Sequence, residues 1–342
     1  MPEPIVHQAD DEATEPSPRA AERNRTTPAV HDLSSRAVRQ AVSRALARAV
    51  DHCRALLGYV SVVKLRLRPE RFIVGLRGLA LLRGWPFEDP EEADAQLEAI
   101  RELLTSRDED GSTIPEVEEF DVGRAYAWWS ETYDSPNPLI AAEEPVVREL
   151  LGALEPGIAV DVATGTGRLA RLLETLGHRV VALDASAEML NRARASAPDI
   201  RLARADIQAL PIRAGDVDLV TCALALTHTR ALNEAIAEFG RVLRPGGRLL
   251  VSDIHPLAVA TGAHAFFERR DGSRGVARNW LHWPNQYVEA FRSAGLTIER
   301  LAEPAFGPMF LEEMPEGALR DAARDAVVGL PFALVWLTKK TG

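Results

Sequence analysis

The feature that most limits the fold of this chain is a glycine-containing turn between a predicted strand and a predicted helix. The turn reads Val160-Asp-Val-Ala-Thr-Gly-Thr-Gly167, and a helical pattern begins near Arg168. Glycines at such a turn let the backbone approach a ligand closely, and the following helix N-terminus offers free N–H groups. The pattern is typical of α/β proteins that bind nucleotide-like ligands, although a turn with two glycines also occurs in other α/β proteins.

Beyond residue 120 the sequence alternates short apolar runs with helical stretches. This alternation predicts a parallel sheet with helices on both faces. After the fifth strand we predict a long irregular region, about residues 254–283, and then a helix from Pro284 to Ala294. The seven predicted strands are Ile158–Ala163, Arg179–Asp184, Arg201–Ala205, Asp218–Ala223, Arg248–Asp253, Leu296–Leu301 and Phe332–Thr338.

Two acidic residues follow neighbouring predicted strands. Asp184 ends the second strand, where a carboxylate can accept hydrogen bonds from both hydroxyls of a ribose. Asp206 and Ile207 follow the third strand, where they can hold an adenine between a polar acceptor and an apolar wall. Together with the glycine turn, these positions favour an adenosine-bearing ligand.

Four motifs in this region resemble those of the class I S-adenosylmethionine-dependent methyltransferases, especially the subgroup that acts on small molecules. They are Asp161-x-Ala163-x-Gly165-x-Gly167, the stretch 184–190, Asp206-Ile207 and the stretch 241–247. The resemblance covers about residues 120–340. It implies a Rossmann-like seven-stranded sheet with a final antiparallel strand. Ala163 replaces the family's usual glycine, so the turn must accommodate a methyl group.

The resemblance also implies which residues hold the cofactor, S-adenosylmethionine. The turn at 161–167 backs its methionine part, Asp184 binds the ribose, and Met189 packs beside the ribose and adenine. Asp206 and Ile207 contact the adenine. The full set of candidate cofactor-binding residues is Tyr126, Tyr133, Asp161, Ala163, Thr164, Gly165, Gly167, Asp184, Ala185, Met189, Asp206, Ile207 and Ala223.

The segment from Phe120 to Pro145 resembles the helix that closes over the cofactor in this family. Tyr126 or Tyr133 then touches the methionine end of the cofactor. The alternative is that the aromatic residues of this segment only pack the edge of the domain.

Two histidines are candidate general bases. His228 follows the fourth strand and His255 the fifth, at the carboxyl edge of the sheet, where ligands of such folds bind. A histidine there suits proton removal near neutral pH. Either residue can instead be structural. A metal site of Asp253 and His255 with His228 or His282 is a weaker alternative, and we predict no metal.

The segment Ala258–Asn285 is where this family commonly builds its acceptor pocket. It carries two phenylalanines, two tryptophans and a histidine, which suit a flat or apolar acceptor. The alternative is an ordinary aromatic core beneath a long loop. These residues are Phe266, Phe267, Trp280, His282 and Trp283.

Charge and composition limit the partners and the compartment. The net charge of −10 disfavours nucleic-acid binding. No apolar run is long enough to span a membrane, and no secretory leader is evident, so we expect a cytoplasmic protein. Cys53 and Cys222 are expected to be reduced. Residues 35–85 carry eleven Arg or Lys against two acidic residues. This excess favours docking of the basic segment on an acidic body, within the chain or in a dimer, and binding of an anionic substrate or a membrane surface is a weaker alternative.

The sequence thus predicts a disordered tail at 1–34, a mainly helical extension at 35–105, a linker at 106–119 and a methyltransferase domain at 120–342. The expected activity is methyl transfer to O, N or C of a small organic acceptor in specialised metabolism. The main alternative is a methyltransferase-like fold that binds the cofactor but catalyses another reaction or only binds. A nicotinamide oxidoreductase is disfavoured because the turn lacks the third glycine of the dinucleotide fingerprint. A macromolecular methyltransferase with the basic segment as docking element is a further alternative.

Overall fold

The computed structural model describes residues 63–66, 68–87, 89–105, 116–312, 314 and 316–342, all within one compact unit, Val62–Gly342. The predicted tail at 1–34, residues 35–62 of the predicted extension with Cys53, and residues 106–115 of the predicted linker lie outside these ranges. The described elements include the predicted α/β pattern from residue 158 onward.

A seven-stranded sheet forms the centre of the described structure, in the order β10-β11-β7-β6-β3-β4-β5. All neighbouring pairs are parallel except those of β11, which runs antiparallel between β10 and β7. The prediction of seven strands with an antiparallel last strand is confirmed. The strands are β3 (Ile158–Val162), β4 (Arg179–Asp184), β5 (Arg201–Arg204), β6 (Val217–Ala223), β7 (Leu243–Ile254), β10 (Leu296–Ala302) and β11 (Ala333–Lys340).

Helices cover both faces of this sheet, and local signals explain where several of them begin. Asp121, Asn137 and Ser186 each accept a hydrogen bond from a backbone N–H of the helix that follows. The helices are α1 (Pro69–Gly84), α2 (Pro90–Thr105), α3 (Val122–Trp129), α4 (Pro138–Gly152), α5 (Arg168–Thr175), α6 (Ala187–Ser196), α7 (Leu232–Val242), α8 (Pro256–Ala260), α9 (Pro284–Ser293), α10 (Pro308–Glu312) and α11 (Ala318–Val327).

The central strands are buried on both faces, which explains their continuous apolar runs. One core cluster packs α7 and α9 on the sheet around Phe239, Phe291 and Trp336. Another packs α4 and α5 on the opposite face around Leu151 and Leu173. The two layers hold the carboxyl ends of β3, β4 and β6 in fixed positions beside one another.

A second sheet of four strands, in the order β1-β2-β9-β8, was not predicted. It contains β1 (Val63–Arg66), β2 (Glu116–Phe120), β8 (Ala265–Glu268) and β9 (Arg274–Ala277). β2 includes the last residues of the predicted linker, and β8 and β9 fall in the region predicted as irregular. These strands are short and partly polar, and β2 pairs with β1 and β9 across long sequence separations, so periodicity alone does not reveal them.

The N-terminal helix α1 packs against α11 near the other end of the chain. Leu76 and Ala80 of α1 join Ala323 and Val327 of α11 in one buried cluster. Arg83 Nη1 donates to the carbonyl oxygen of Ala326 at 2.8 Å, at the end of α11. The cation therefore satisfies a helix C-terminus. The extension predicted at 35–105 thus contacts the body through at least one of its basic residues.

In the described part of the chain, no helix has the length and apolarity needed to cross a membrane.

Candidate active site

The glycine turn after β3 adopts left-handed backbone conformations at three residues. The φ angles are +54° at Ala163, +58° at Gly165 and +88° at Gly167. Gly167 is the N-cap of α5, so the turn leads directly into a helix N-terminus. The backbone therefore accommodates the methyl group of Ala163, but in a region that glycine occupies at lower cost.

Asp184, at the end of β4, points at this turn. Its Oδ2 accepts a hydrogen bond from the backbone N–H of Gly165 at 2.8 Å, and its Oδ1 accepts from the N–H of Ser186 at 2.8 Å. Burial raises the pKa of Asp184, whereas these hydrogen bonds lower it. A carboxylate has about four acceptor positions, so further lone pairs remain for ligand hydroxyls.

Asp161 supports the turn from below. Its two oxygens accept hydrogen bonds of 2.6 Å from the hydroxyls of Thr164 and Thr221. Burial raises the pKa of Asp161 to about 6. The carboxyl group thus ties the turn to β6 and fixes the position of the backbone above it.

The segment between α3 and α4 closes over the turn from above. Thr166 donates to Asp134 Oδ1 at 2.6 Å. A Cβ atom built on Gly165 would lie 3.7 Å from the ring of Tyr133. Any larger side chain at Gly165 would therefore fill the space between the turn and this ring.

A cavity of about 400 Å³ lies between the turn and this segment. The predicted residues that line it are Tyr133, Asp161, Ala163, Thr164 and Ala223. Arg168, which the sequence marked only as a helix start, also lines it. Its guanidinium pairs with the fully buried Glu143, and its Nη1 is buried without a hydrogen-bond partner. The glycine turn, the carboxylate of Asp184 and this unpaired donor fit an adenosyl amino acid, so the residues present suit S-adenosylmethionine.

The other candidate cofactor residues do not line this cavity. They are Tyr126, Gly165, Gly167, Asp184, Ala185, Met189, Asp206 and Ile207. Asp206 is exposed, two residues beyond Arg204, which is paired with Asp184 across β4 and β5. Ile207 is half-buried, Ala185 is exposed, and Met189 is only 1% exposed beneath the start of α6.

A second cavity, of about 650 Å³, adjoins the first. The two share the residues Tyr133, Ser135, Pro136, Asn137 and Leu224. Tyr126 lines only the larger cavity. We call the smaller one the cofactor cavity and the larger one the acceptor cavity.

Tyr126 and His228 form a hydrogen-bonded pair in the acceptor cavity. The hydroxyl of Tyr126 lies 2.7 Å from His228 Nε2, and His228 Nδ1 lies 3.4 Å from the carbonyl oxygen of Arg278. Burial raises the pKa of Tyr126 well above its ordinary value and lowers that of His228 to about 4. Both side chains are therefore neutral near pH 7, and the tyrosine hydroxyl donates to Nε2.

His255 lies elsewhere, which corrects its assignment as a candidate base. Its Nδ1 accepts from the backbone N–H of Leu257, and its Nε2 lies 3.2 Å from Glu303 Oε1. It lines neither cavity. A residue before Pro256 at the start of α8 is in the N-cap position, and this local role decides where the imidazole points.

The aromatic segment after β7 contributes only part of the acceptor cavity. Phe266 and Phe267 line it, whereas Trp280, His282 and Trp283 do not. His282 Nε2 lies 2.7 Å from the carbonyl oxygen of Thr229. Within the described ranges, no three His, Cys, Asp or Glu residues are grouped as a metal site would need.

Sequence analysis named Asp253 only in a weaker metal-site alternative, and it missed the apolar residues of the acceptor cavity. Asp253, at the carboxyl end of β7, lines this cavity and accepts a hydrogen bond of 2.9 Å from the hydroxyl of Tyr287. Burial raises the pKa of Asp253 to about 7. Its position at the strand end was a usable signal. The missed apolar residues come from distant helices and loops, and they are Phe72, Leu76, Phe306, Phe310, Val327 and Phe332.

Comparison with known proteins supports the methyltransferase resemblance. Residues 160–251 match the family model described as a methyltransferase domain. A demethylmenaquinone methyltransferase from Renibacterium salmoninarum is 34% identical over 130 residues, which is 36% of this chain and 55% of the relative. A malonyl-[acyl-carrier protein] O-methyltransferase from Enterobacter lignolyticus is 32% identical over 136 residues, or 40% and 54% of the two chains. The chain thus spans about half the length of the curated relatives it matches.

An S-adenosylmethionine-dependent methyltransferase from Mesorhizobium loti is a similar solved structure, with 24% identity and a TM-score of 0.47 over 60% of this chain and all of that one. The matched family segment runs from β3 to β7 and contains both the glycine turn and Asp184. The segment 160–251 is therefore similar to a methyltransferase domain, and the residues around its glycine turn suit S-adenosylmethionine as the cofactor.

Proposed function

We propose that this protein transfers a methyl group from S-adenosylmethionine to O, N or C of a small organic acceptor, in specialised metabolism and in the cytoplasm. The observation that carries the proposal is the junction of two cavities at the carboxyl edge of the sheet. One lies against the glycine turn, in which the N–H of Gly165 donates to Asp184, and the other is mostly apolar. A methyl donor and an acceptor bound in the two cavities meet at Tyr133 and Leu224.

In this proposal the chain's residues hold the cofactor by groups that have free hydrogen-bonding capacity. Asp184 accepts from the ribose hydroxyls, and Arg168 donates to the carboxylate of the methionine part. The turn at 163–167 supplies the floor and Tyr133 the roof. Asp206 and Ile207 flank the adenine. When bound, the sulfonium supplies a methyl carbon that bonds to the acceptor atom while its bond to sulfur breaks and leaves the electron pair on sulfur.

The Tyr126–His228 pair can take the acceptor's proton. The hydroxyl oxygen of Tyr126 has a lone pair available while its own proton is donated to His228 Nε2. A proton that leaves the acceptor for this oxygen lets the tyrosine proton pass to the imidazole. The pKa of His228, lowered to about 4 by burial, makes it a weak base, so positioning and exclusion of water contribute most of the rate.

The test is methyl transfer by the full chain to a panel of small aromatic alcohols, amines and carbon acids, followed by mass spectrometry of the products. Tyr126→Phe should lower the rate of transfer by a factor of about 10–100, since it keeps the ring but removes the hydroxyl, while affinity for S-adenosylmethionine changes less than about twofold. Trp283→Ala, at an exposed residue outside both cavities, is the control. Tight cofactor binding with no product from any acceptor would favour the alternative of a binding module.

A further inference from the structure

The acceptor cavity has chemically different ends, and this bears on which acceptors can enter it. One end contains the Tyr126–His228 pair and Asn279. The other is formed by side chains from α1, α10, α11 and the segment before β11. The cavity volume of about 650 Å³ lies in the range that holds a drug-sized molecule.

Three phenylalanines form the apolar end. The rings of Phe306 and Phe332 are stacked with centroids 3.8 Å apart, and the ring of Phe310 meets both edge-on at 4.8 and 5.5 Å. Phe72 and Leu76 of α1 close the same wall. Because these rings pack on one another, the wall is a preformed apolar surface that suits a hydrocarbon or aromatic group.

The apolar wall is held in place by polar contacts outside the cavity. Arg83 of α1 donates to the carbonyl oxygens of Asp325 and Ala326 at 3.2 and 2.8 Å. Gln96 of α2 donates to the carboxylate of Asp325 at 2.7 Å. Helix α1 therefore forms part of the acceptor cavity, and α2 supports α11 from outside it.

Positive charge is nearly absent from the described residues that line the acceptor cavity. Arg269 is the exception among lysines and arginines, and its guanidinium lies 4.0 Å above the ring of Trp128 and 3.8 Å from Asp271. Burial lowers the pKa of both His228 and His264, so these side chains are neutral at pH 7. Asp253 adds an acidic group. An acceptor carboxylate or phosphate would find no unpaired cation here to offset its lost hydration.

The polar end has unused hydrogen-bonding capacity of the kind that suits a hydroxyl group. Asn279 is 7% exposed, and its Oδ1 is buried without a partner. It follows Arg278, whose carbonyl oxygen lies 3.4 Å from His228 Nδ1, so this amide lies next to the Tyr126–His228 pair. A donor from a ligand would satisfy an acceptor that is otherwise costly to bury.

We propose that the acceptor is an uncharged, largely apolar hydroxy compound, with its hydroxyl at Tyr126, His228 and Asn279 and its hydrocarbon part against Phe306, Phe310 and Phe332. This inference rests on the proposed function, and it narrows the acceptor atom to the hydroxyl oxygen or a carbon that this hydroxyl activates. A carboxylate, as in a free organic acid, is excluded by the same cavity.

The test compares three probes of similar size on the full chain by calorimetry at pH 7, with and without S-adenosylhomocysteine. We expect 2-naphthol to bind at least tenfold more tightly than 2-naphthoate, and naphthalene to lie between them. Phe310→Ala should weaken the binding of both uncharged probes at least fivefold. Asn279→Leu should weaken the binding of 2-naphthol at least fivefold and leave the affinity for naphthalene unchanged. Trp283→Ala, outside the cavity, should change none of these affinities.

Equal or tighter binding of 2-naphthoate would overturn the inference, as would failure of all three probes to bind. If Asn279→Leu weakened the binding of 2-naphthol and of naphthalene equally, the placement of the hydroxyl would also be contradicted. Retained binding of S-adenosylhomocysteine shows that each variant is folded. If the wild-type chain does not bind S-adenosylhomocysteine, the proposed function fails, and the probe series without it still decides the chemistry of the cavity.

Discussion

The cofactor cavity and the acceptor cavity share an edge but are assembled differently from the sequence. Much of the cofactor cavity comes from one stretch, residues 161–171, and from the segment 133–144 above it. The acceptor cavity is lined by residues from Phe72 to Phe332, contributed by segments that are far apart in the chain. The cofactor cavity thus depends on local backbone geometry, whereas the acceptor cavity depends on the packing of distant segments.

This difference affects how each cavity responds to substitution. The turn at the cofactor cavity is fixed by hydrogen bonds to Asp161 and Asp184 within about 25 residues of sequence. The wall of the acceptor cavity depends on α1 meeting α11. A change at one cavity should therefore leave the other largely unaffected, because the two are connected mainly through Tyr133 and Leu224.

The largest effect is expected at Asp253, the acidic group buried beside the acceptor cavity. Its folded pKa of about 7 exceeds its ordinary value of 3.8, so the unfolded chain releases this proton first as the pH rises. The folded state therefore loses stability between about pH 4 and pH 7. The variant Asp253→Asn does not have this loss. Its free energy of unfolding minus that of the wild type should therefore increase by up to roughly 4 kcal/mol between pH 4 and pH 8.

Urea denaturation at several pH values measures this difference. Asp199→Asn, at an exposed carboxyl, is the control and should show no comparable pH-dependent gain. A constant difference between Asp253→Asn and the wild type across the range would show that Asp253 is not kept protonated by burial.

The next largest effect is expected at Asp184, on the cofactor side. Asp184→Asn removes a charged acceptor and leaves either Gly165 or Ser186 facing an amide N–H. The variant also loses the charge-assisted hydrogen bonds that we propose between Asp184 and the ribose hydroxyls. The binding of S-adenosylhomocysteine should therefore weaken by roughly 3 kcal/mol, or about 100-fold. The affinity for 2-naphthol should remain within about twofold, since the acceptor cavity does not use Asp184.

Calorimetry with each ligand separately gives both affinities. If Asp184→Asn weakened the binding of both ligands equally, the two cavities would not be independent. Asp206→Asn is a second comparison, and its effect on S-adenosylhomocysteine binding should be smaller because Asp206 is exposed and its carboxylate accepts a hydrogen bond from the N–H of Gln208.

The smallest effect is expected at Ala163 in the glycine turn. At φ +54° an alanine is strained, so Ala163→Gly should raise the free energy of unfolding by up to about 1 kcal/mol. Ala237→Gly, at an exposed position inside the helix α7, is the control and should lower it by about 1 kcal/mol. Thermal unfolding of the two variants checks the opposite signs. Destabilisation of similar size in both would show that the turn carries no strain at Ala163.

The sequence predicted the seven-stranded sheet and the turn well because their signals are local. Strands β3, β6 and β7 contain apolar runs that are mostly buried, and Gly165 and Gly167 stand directly before a helix. The position of Asp184 followed from the same alternation, since the ends of parallel strands meet at one edge. The same rule singled out His228, which lines the acceptor cavity, and His255, which lines neither cavity and caps α8.

Only the tertiary structure decided the acceptor cavity. Phe72, Phe310 and Phe332 lie in segments whose apolar residues have no local pattern that indicates a common pocket, and the second sheet joins β2 to β9 across more than 150 residues. Such contacts form because each segment buries apolar surface against whichever partner the folded chain presents. The sequence thus determined the class of the fold and the cofactor side, where backbone geometry dictates residue type. The shape and charge of the acceptor side arose from the packing of segments that are distant in sequence.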